Sequence, residues 1–135
     1  MSRPSLDELV ELDRQVSGTN RRRLLKLLRA QQPFWSVLGE TGLRGFVSAR
    51  PGSRAIQIGP CAADDVAGPI LFRHAFARYA GQTVLIDLPC AHDAAIHLAE
   101  QHGLSRQRTL LRMTRGQPVC ERIEWLWASF GPEKG

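Results

Sequence analysis

The chain predicts an α/β (α+β) domain, a central mixed sheet of about six strands flanked by about four helices. Three observations carry this expectation. Apolar residues recur at helical steps from Leu6 to Ala30, whereas short β-branched and aromatic runs punctuated by glycine and proline follow from Phe34 to Gly59. Ile56 to Leu88 then reads strand, helix, strand, an order that demands a right-handed crossover and parallel pairing. The 135 residues, 43% of them apolar, suffice for one hydrophobic core, so residues 1–135 are expected to form a single domain.

Ser5 and Glu8 have capping-box spacing, and Leu6, Leu9, Val10, Asp13 and Val16 continue at helical steps, so a first helix is predicted over 5–16. Gly18 breaks it. Thr19 or Asn20 caps a second helix that runs through Ala30 and stops before Pro33. Phe34 to Leu38, Leu43 to Arg50 and Ala55 to Gly59 form an antiparallel meander, with turns at Glu40-Thr41-Gly42 and Pro51-Gly52-Ser53. Pro60 ends the third strand, and an apolar helix from Val66 to Ala80 closes at Gly81. Thr83 to Leu88 is nearly all apolar and predicts a strand buried on both faces, parallel to the third. A fourth helix over 92–102 ends at Gly103, and Gln107 to Arg115 with Arg122 to Phe130 form a closing antiparallel pair. Trp125 and Trp127, two residues apart, share one face of that pair, as core or as the wall of a pocket.

Composition excludes several classes. No run approaches the roughly 20 apolar residues that span a bilayer, and Met1 to Val10 carries acids instead of an apolar signal core, so a cytoplasmic, membrane-free protein is expected. Cys61, Cys90 and Cys120 are widely spaced and odd in number, which suits a reducing compartment, and the four histidines lack ligand spacing, so no metal is expected. The net charge of +5 points only weakly to anionic partners. Arg21-Arg22-Arg23 opens a leucine-rich helix, where a solvated face is the expected role, and nucleic acid is not an expected partner.

The landmarks Leu12-Asp13-Arg14, Gly18, Arg21-Arg22, Ile56-Gln57-Ile58-Gly59-Pro60, Leu85-Ile86-Asp87-Leu88-Pro89, Ala95 with Leu98 and Gly103, and Arg112-Met113 fall in a telling order. Together with the element order they resemble the GNAT superfamily of acetyl-CoA-dependent N-acyltransferases, closest to the second domain of tandem bacterial GNAT proteins. The resemblance covers nearly the whole chain, with the usual first strand missing or reduced to Met1 to Pro4. It implies acetyl-CoA as cosubstrate and a small-molecule or peptide amine as acceptor.

The resemblance also implies the site. The third and fourth strands splay apart between Gln57 to Cys61 and Asp87 to Cys90, so that Ile58, Gly59 and Cys61 line the pantetheine arm. Val66, Ala67 and Gly68 offer amides at the start of the central helix to the pyrophosphate, where the helix dipole favours negative charge. In the family loop pattern, Gly68 and Leu71 match, whereas Val66 stands in place of a glycine and Ala63 in place of a basic residue or glutamine. Asp64 and Asp65 bring negative charge to the same loop, and Pro69 removes one amide. His92 takes the asparagine position of the fourth helix and is a candidate cofactor contact and proton donor, with an ordinary helix cap as the plainer role. Ala99 stands where relatives carry tyrosine. Asp87 is the candidate base that deprotonates the amine, unless the sheet hides it or an arginine pairs it. Cys61 and Cys90, at the strand ends, read as inert thiols before nucleophiles. The implied function is N-acyl transfer to an unidentified amine. The alternative is a non-catalytic GNAT-like module for CoA binding, dimerisation or regulation, expected as a homodimer through an exposed sheet edge.

Overall fold

A computed structural model describes residues 2–107 and 122–129. Most of the expected strand from Gln107 to Arg115 lies outside these residues. In chain order the elements are helices α1 (Leu6–Ser17) and α2 (Arg22–Gln31), strands β1 (Phe34–Gly39), β2 (Gly42–Pro51) and β3 (Ile56–Ala63), helix α3 (Ala67–Arg78), strand β4 (Val84–Ile86), helix α4 (Asp93–Gln101), a 3₁₀ turn (Ile123–Trp125) and strand β5 (Leu126–Ala128).

The local signals of α1 act as expected. Ser5 Oγ accepts the Glu8 amide at 3.2 Å while Glu8 Oε1 accepts the Ser5 amide at 3.0 Å, and Gly18 closes α1 with a left-handed φ of 76°. The cap of α2 falls one residue later than expected: Arg21 is the N-cap and makes no side-chain cap bond, while Asn20 Oδ1, just before it, accepts the amide of Arg22 at 3.0 Å. Asp13, the one acid on the apolar stripe of α1, is 2% exposed and receives Arg21 through Nε at 2.9 Å and Nη2 at 2.6 Å. This two-point pair ties the entry of α2 to the middle of α1. Arg22 instead meets the exposed Asp7 at 2.8 Å, an ion pair open to solvent.

β1, β2 and β3 form the antiparallel meander, and β4 pairs β3 in parallel, with Ile56 opposite Val84 and Ile58 opposite Ile86. Ser2 bridges Ser36 on the outer edge of β1, a single-residue remnant of a strand at that position. Helices cover both sheet faces. On one, Leu9, Leu12, Val16, Leu25 and Leu28 from α1 and α2 pack on Phe34, Phe46 and Ala62. On the other, Leu71, Phe72, Ala75, Ala95 and Leu98 from α3 and α4 pack on Val47, Ile58, Cys61 and Trp127.

Three local expectations are corrected. β3 does not end at Pro60 but runs on to Ala63, because a bulge sets Gly59 and Pro60 opposite Ser48 and the pairing with β2 resumes at Cys61. β4 is not buried on both faces: Val84 and Ile86 turn to the α3 and α4 core, whereas Leu85 is 47% exposed. The reason is geometric, because α1 packs mainly against β2 and β3, with no comparable contact to β4. Nor do Trp125 and Trp127 share a face. The 3₁₀ turn ends at Trp125 and breaks the strand alternation, so Trp125 and Leu126 join the α1 and α2 side while Trp127 enters the α3 side.

Arg21→Ala leaves the buried Asp13 carboxylate without its counter-charge. The expected loss is about 3 kcal/mol in urea unfolding. Loss of the exposed partner in Arg22→Ala is expected to cost under about 1 kcal/mol in the same assay.

Candidate functional site

β3 and β4 run side by side for only three residue pairs, ending at Ile58 and Ile86. Beyond that point their pairing ends, where the resemblance implied a splay between Gln57 to Cys61 and Asp87 to Cys90. The gap has an occupant. β5 lies antiparallel against the far half of β3, with Cys61 opposite Ala128 and Ala62 opposite Leu126, and the Ser129 amide donates to the Asp87 carbonyl at 2.9 Å. The chain's own C-terminal segment therefore bonds to both walls of the cleft, consuming edge groups that would otherwise need another partner.

Gly59 and Gly68 make that approach close. Gly59 has a φ of 138°, and a Cβ built there would lie 2.2 Å from the Ser129 carbonyl oxygen. At Gly68, in the first turn of α3, a Cβ would meet the Trp127 ring at 2.0 Å. The Trp127 indole is 2% exposed and donates through Nε1 to the Ala63 carbonyl at 3.1 Å, with Phe72 edge-on at 5.2 Å between centroids. Gly68 thus receives an indole.

His92 is the N-cap of α4 and 6% exposed. Its Nδ1 accepts the Ala95 amide at 3.1 Å, which fixes the tautomer, so Nε2 carries the proton and donates to the Glu124 carbonyl at 2.9 Å. Its ring centroid lies 4.4 Å from that of Trp127. Both nitrogens are engaged, one in capping and one in holding the segment that precedes β5. Asp87 sits at the mouth, half-buried, where its carboxylate receives Gln57 Nε2 at 3.5 Å and its carbonyl receives Ser129.

The start of α3 is likewise engaged. Asp64 Oδ1 accepts the amides of Val66 at 3.0 Å and Ala67 at 2.8 Å, its carbonyl accepts Gly68 at 3.0 Å, and Arg44 Nε donates to Oδ2 at 2.6 Å. Burial pushes the Asp64 carboxyl upward, but the Ala67 amide, Arg44 and the Val66 amide outweigh it and hold it below the ordinary aspartate range. A resident carboxylate thus fills the place where a helix start receives an anion. Sequence reasoning named Asp64 and Asp65 as possible caps; the signal it missed was Arg44, which lies one residue from the Gly45 that pairs with Ala63. Cys61, wholly buried beneath this assembly, has its thiol pushed up by burial, whereas Cys90 is exposed.

These positions do not fit acetyl-CoA in this conformation. The strand edge along Cys61 is paired to β5, Gly68 is covered by Trp127, and the amides of Val66, Ala67 and Gly68 are taken by Asp64. Ile58 is wholly buried in the core facing α3.

Asp64→Asn is expected to lower stability by about 1 kcal/mol near neutral pH, since the charge facing Arg44 and the helix-start amides is lost although an amide oxygen can still cap. Because the folded carboxyl sits below its unfolded value, its contribution is present above that unfolded value, about 3.9, and fades as pH falls through the folded one. Urea midpoints of the two proteins should therefore converge in acid and stay apart above about pH 5.

Comparison with known proteins agrees with this architecture. No curated protein and no solved structure matches the chain. A family model described as an acetyltransferase (GNAT) domain matches residues 9–128, from within α1 through the last residue of β5, so the matched span includes β5 and stops one residue short of Ser129. The chain belongs to the GNAT acetyltransferase domain family.

Proposed function

We propose that this GNAT domain acts as a non-catalytic module, its cofactor cleft converted into part of its own core. The observation that carries the proposal is β5, seated on the edge of β3 with Ser129 bonded across to Asp87. Asp64 supports it from the other end of the cleft by holding the helix-start amides. Fold does not fix function, and the family's chemistry depends on a cleft that this chain fills from within. The module is expected to work in the reducing cytosol, in keeping with free thiols at Cys61 and Cys90. Its expected assembly is a homodimer along β1, whose outer edge carries one bridge, at Ser36, among the described residues.

Acyl transfer to an amine is the second reading. It is favoured by the parting of β3 and β4 itself, with Asp87 as the candidate base and His92 as the candidate proton donor bordering the gap. Under that reading residues 124–129 must first vacate the cleft.

Thermal-shift and calorimetric titrations separate the two. A ligand at 100 times its dissociation constant stabilises by about 2.7 kcal/mol. The non-catalytic reading predicts no shift with millimolar acetyl-CoA or CoA beyond that of an adenine nucleotide control. A CoA-specific shift, followed by acetylation of any member of an amine panel, establishes the second reading instead.

A further inference from the structure

We propose that the cleft between β3 and β4 is a peptide-strand binding site, and that its resident ligand is the chain's own segment Glu124–Ser129. The inference rests on the non-catalytic reading and goes beyond it by naming the chemistry that the cleft takes. Strand-binding sites draw affinity from main-chain hydrogen bonds along an open edge and specificity from pockets for alternate side chains. Both features are present.

The main-chain component is the pairing of Leu126 and Ala128 with Ala62 and Cys61, completed on the opposite wall by the Ser129 amide on Asp87. A further bond, from His92 Nε2 to the Glu124 carbonyl, holds the segment where it enters. Between these ends the side chains alternate. Leu126 goes to the α1 and α2 core, and Trp127 enters a socket made by Gly68, Phe72, His92 and the Ala63 carbonyl. Gly68 is what gives the socket its depth, because any side chain there would occupy the space of the indole.

The specificity expected of the site follows from the socket. It takes an extended peptide with an aromatic residue bearing an N–H donor, and with an amide two residues further on to reach Asp87. A tryptophan satisfies the Ala63 carbonyl; a phenylalanine leaves it without its side-chain partner. The free backbone amides of a peptide are essential to such a fit.

Cys61 reports on occupancy, since it is wholly buried and lies opposite Ala128. The sequence holds three cysteines, so a full-length chain carrying Cys90→Ser and Cys120→Ser has Cys61 as its sole thiol. Its reaction with a thiol reagent is expected to be slow. Adding Trp127→Ala should raise the rate at least about tenfold with the far-ultraviolet spectrum retained, because the labelling then follows local opening. A synthetic peptide with the sequence of Ile123 to Ser129 should slow the reaction again, and the same peptide with alanine for its second tryptophan should not. If Trp127→Ala does not fold, Ser129→Pro in the same background removes the amide that reaches Asp87 and is read the same way. A folded variant in which Cys61 stays as slow as in the parent overturns the proposal, and so does a fast variant that the tryptophan peptide fails to protect. These outcomes leave the non-catalytic reading intact, which stands or falls on the acetyl-CoA titration of the unmodified chain.

Discussion

The structure depends on how the free half of β3 is satisfied. β4 accompanies β3 through Ile58 and no further, so the buried stretch from Gly59 to Ala63 requires another source of backbone partners. β5 provides it with strand residues, and Trp127 adds a large aromatic surface against α3. Around that requirement the neighbouring positions make sense together. Gly59 and Gly68 lack side chains where Ser129 and Trp127 press in, and His92 is oriented by its cap bond so that its other nitrogen meets Glu124. Each is a local choice that agrees with the same packing solution.

Much of the fold was legible because its signals are local. Ser5 with Glu8, Gly18, Pro33 and Gly103 punctuate the chain where the elements begin and end, whereas Pro60 lies inside β3, and the switch from helical to strand periodicity at Phe34 is plain in the sequence. The crossover between β3 and β4 follows from connection length alone. What escaped was non-local. Leu85 looks like a core residue in an apolar strand, and only the reach of α1 decides that its face stays open. The 3₁₀ turn that parts Trp125 from Trp127 has no strong residue signature in Arg122 to Leu126.

The candidate site shows the same division. Of the positions that the resemblance named, the structure brings Gly59, Cys61, Gly68, Asp87 and His92 around one cleft. Their employment was not legible, because periodicity says that 122 to 130 can be a strand and not which edge it joins. Asp64 illustrates the point: as a letter it is a charge in a loop, whereas in the fold it is the anion that Arg44 and two helix-start amides enclose. The departures from the family loop pattern at Ala63, Val66 and Pro69 thus accompany an internally satisfied loop. A family domain can retain its architecture while its binding groups are redirected to its own chain.

The central claim is that the segment through Ser129 is an integral part of the folded cleft. Hydrogen exchange followed by NMR tests it most directly, at the Ser129 amide, which is bonded to Asp87, and at the Trp127 indole N–H, which is bonded to Ala63. If the account is right, both protons exchange only through openings nearly as costly as those of Val47 and Phe72 in the core, and millimolar acetyl-CoA leaves them unchanged. Exchange of both on the scale of a frayed terminus, while the core stays protected, contradicts it.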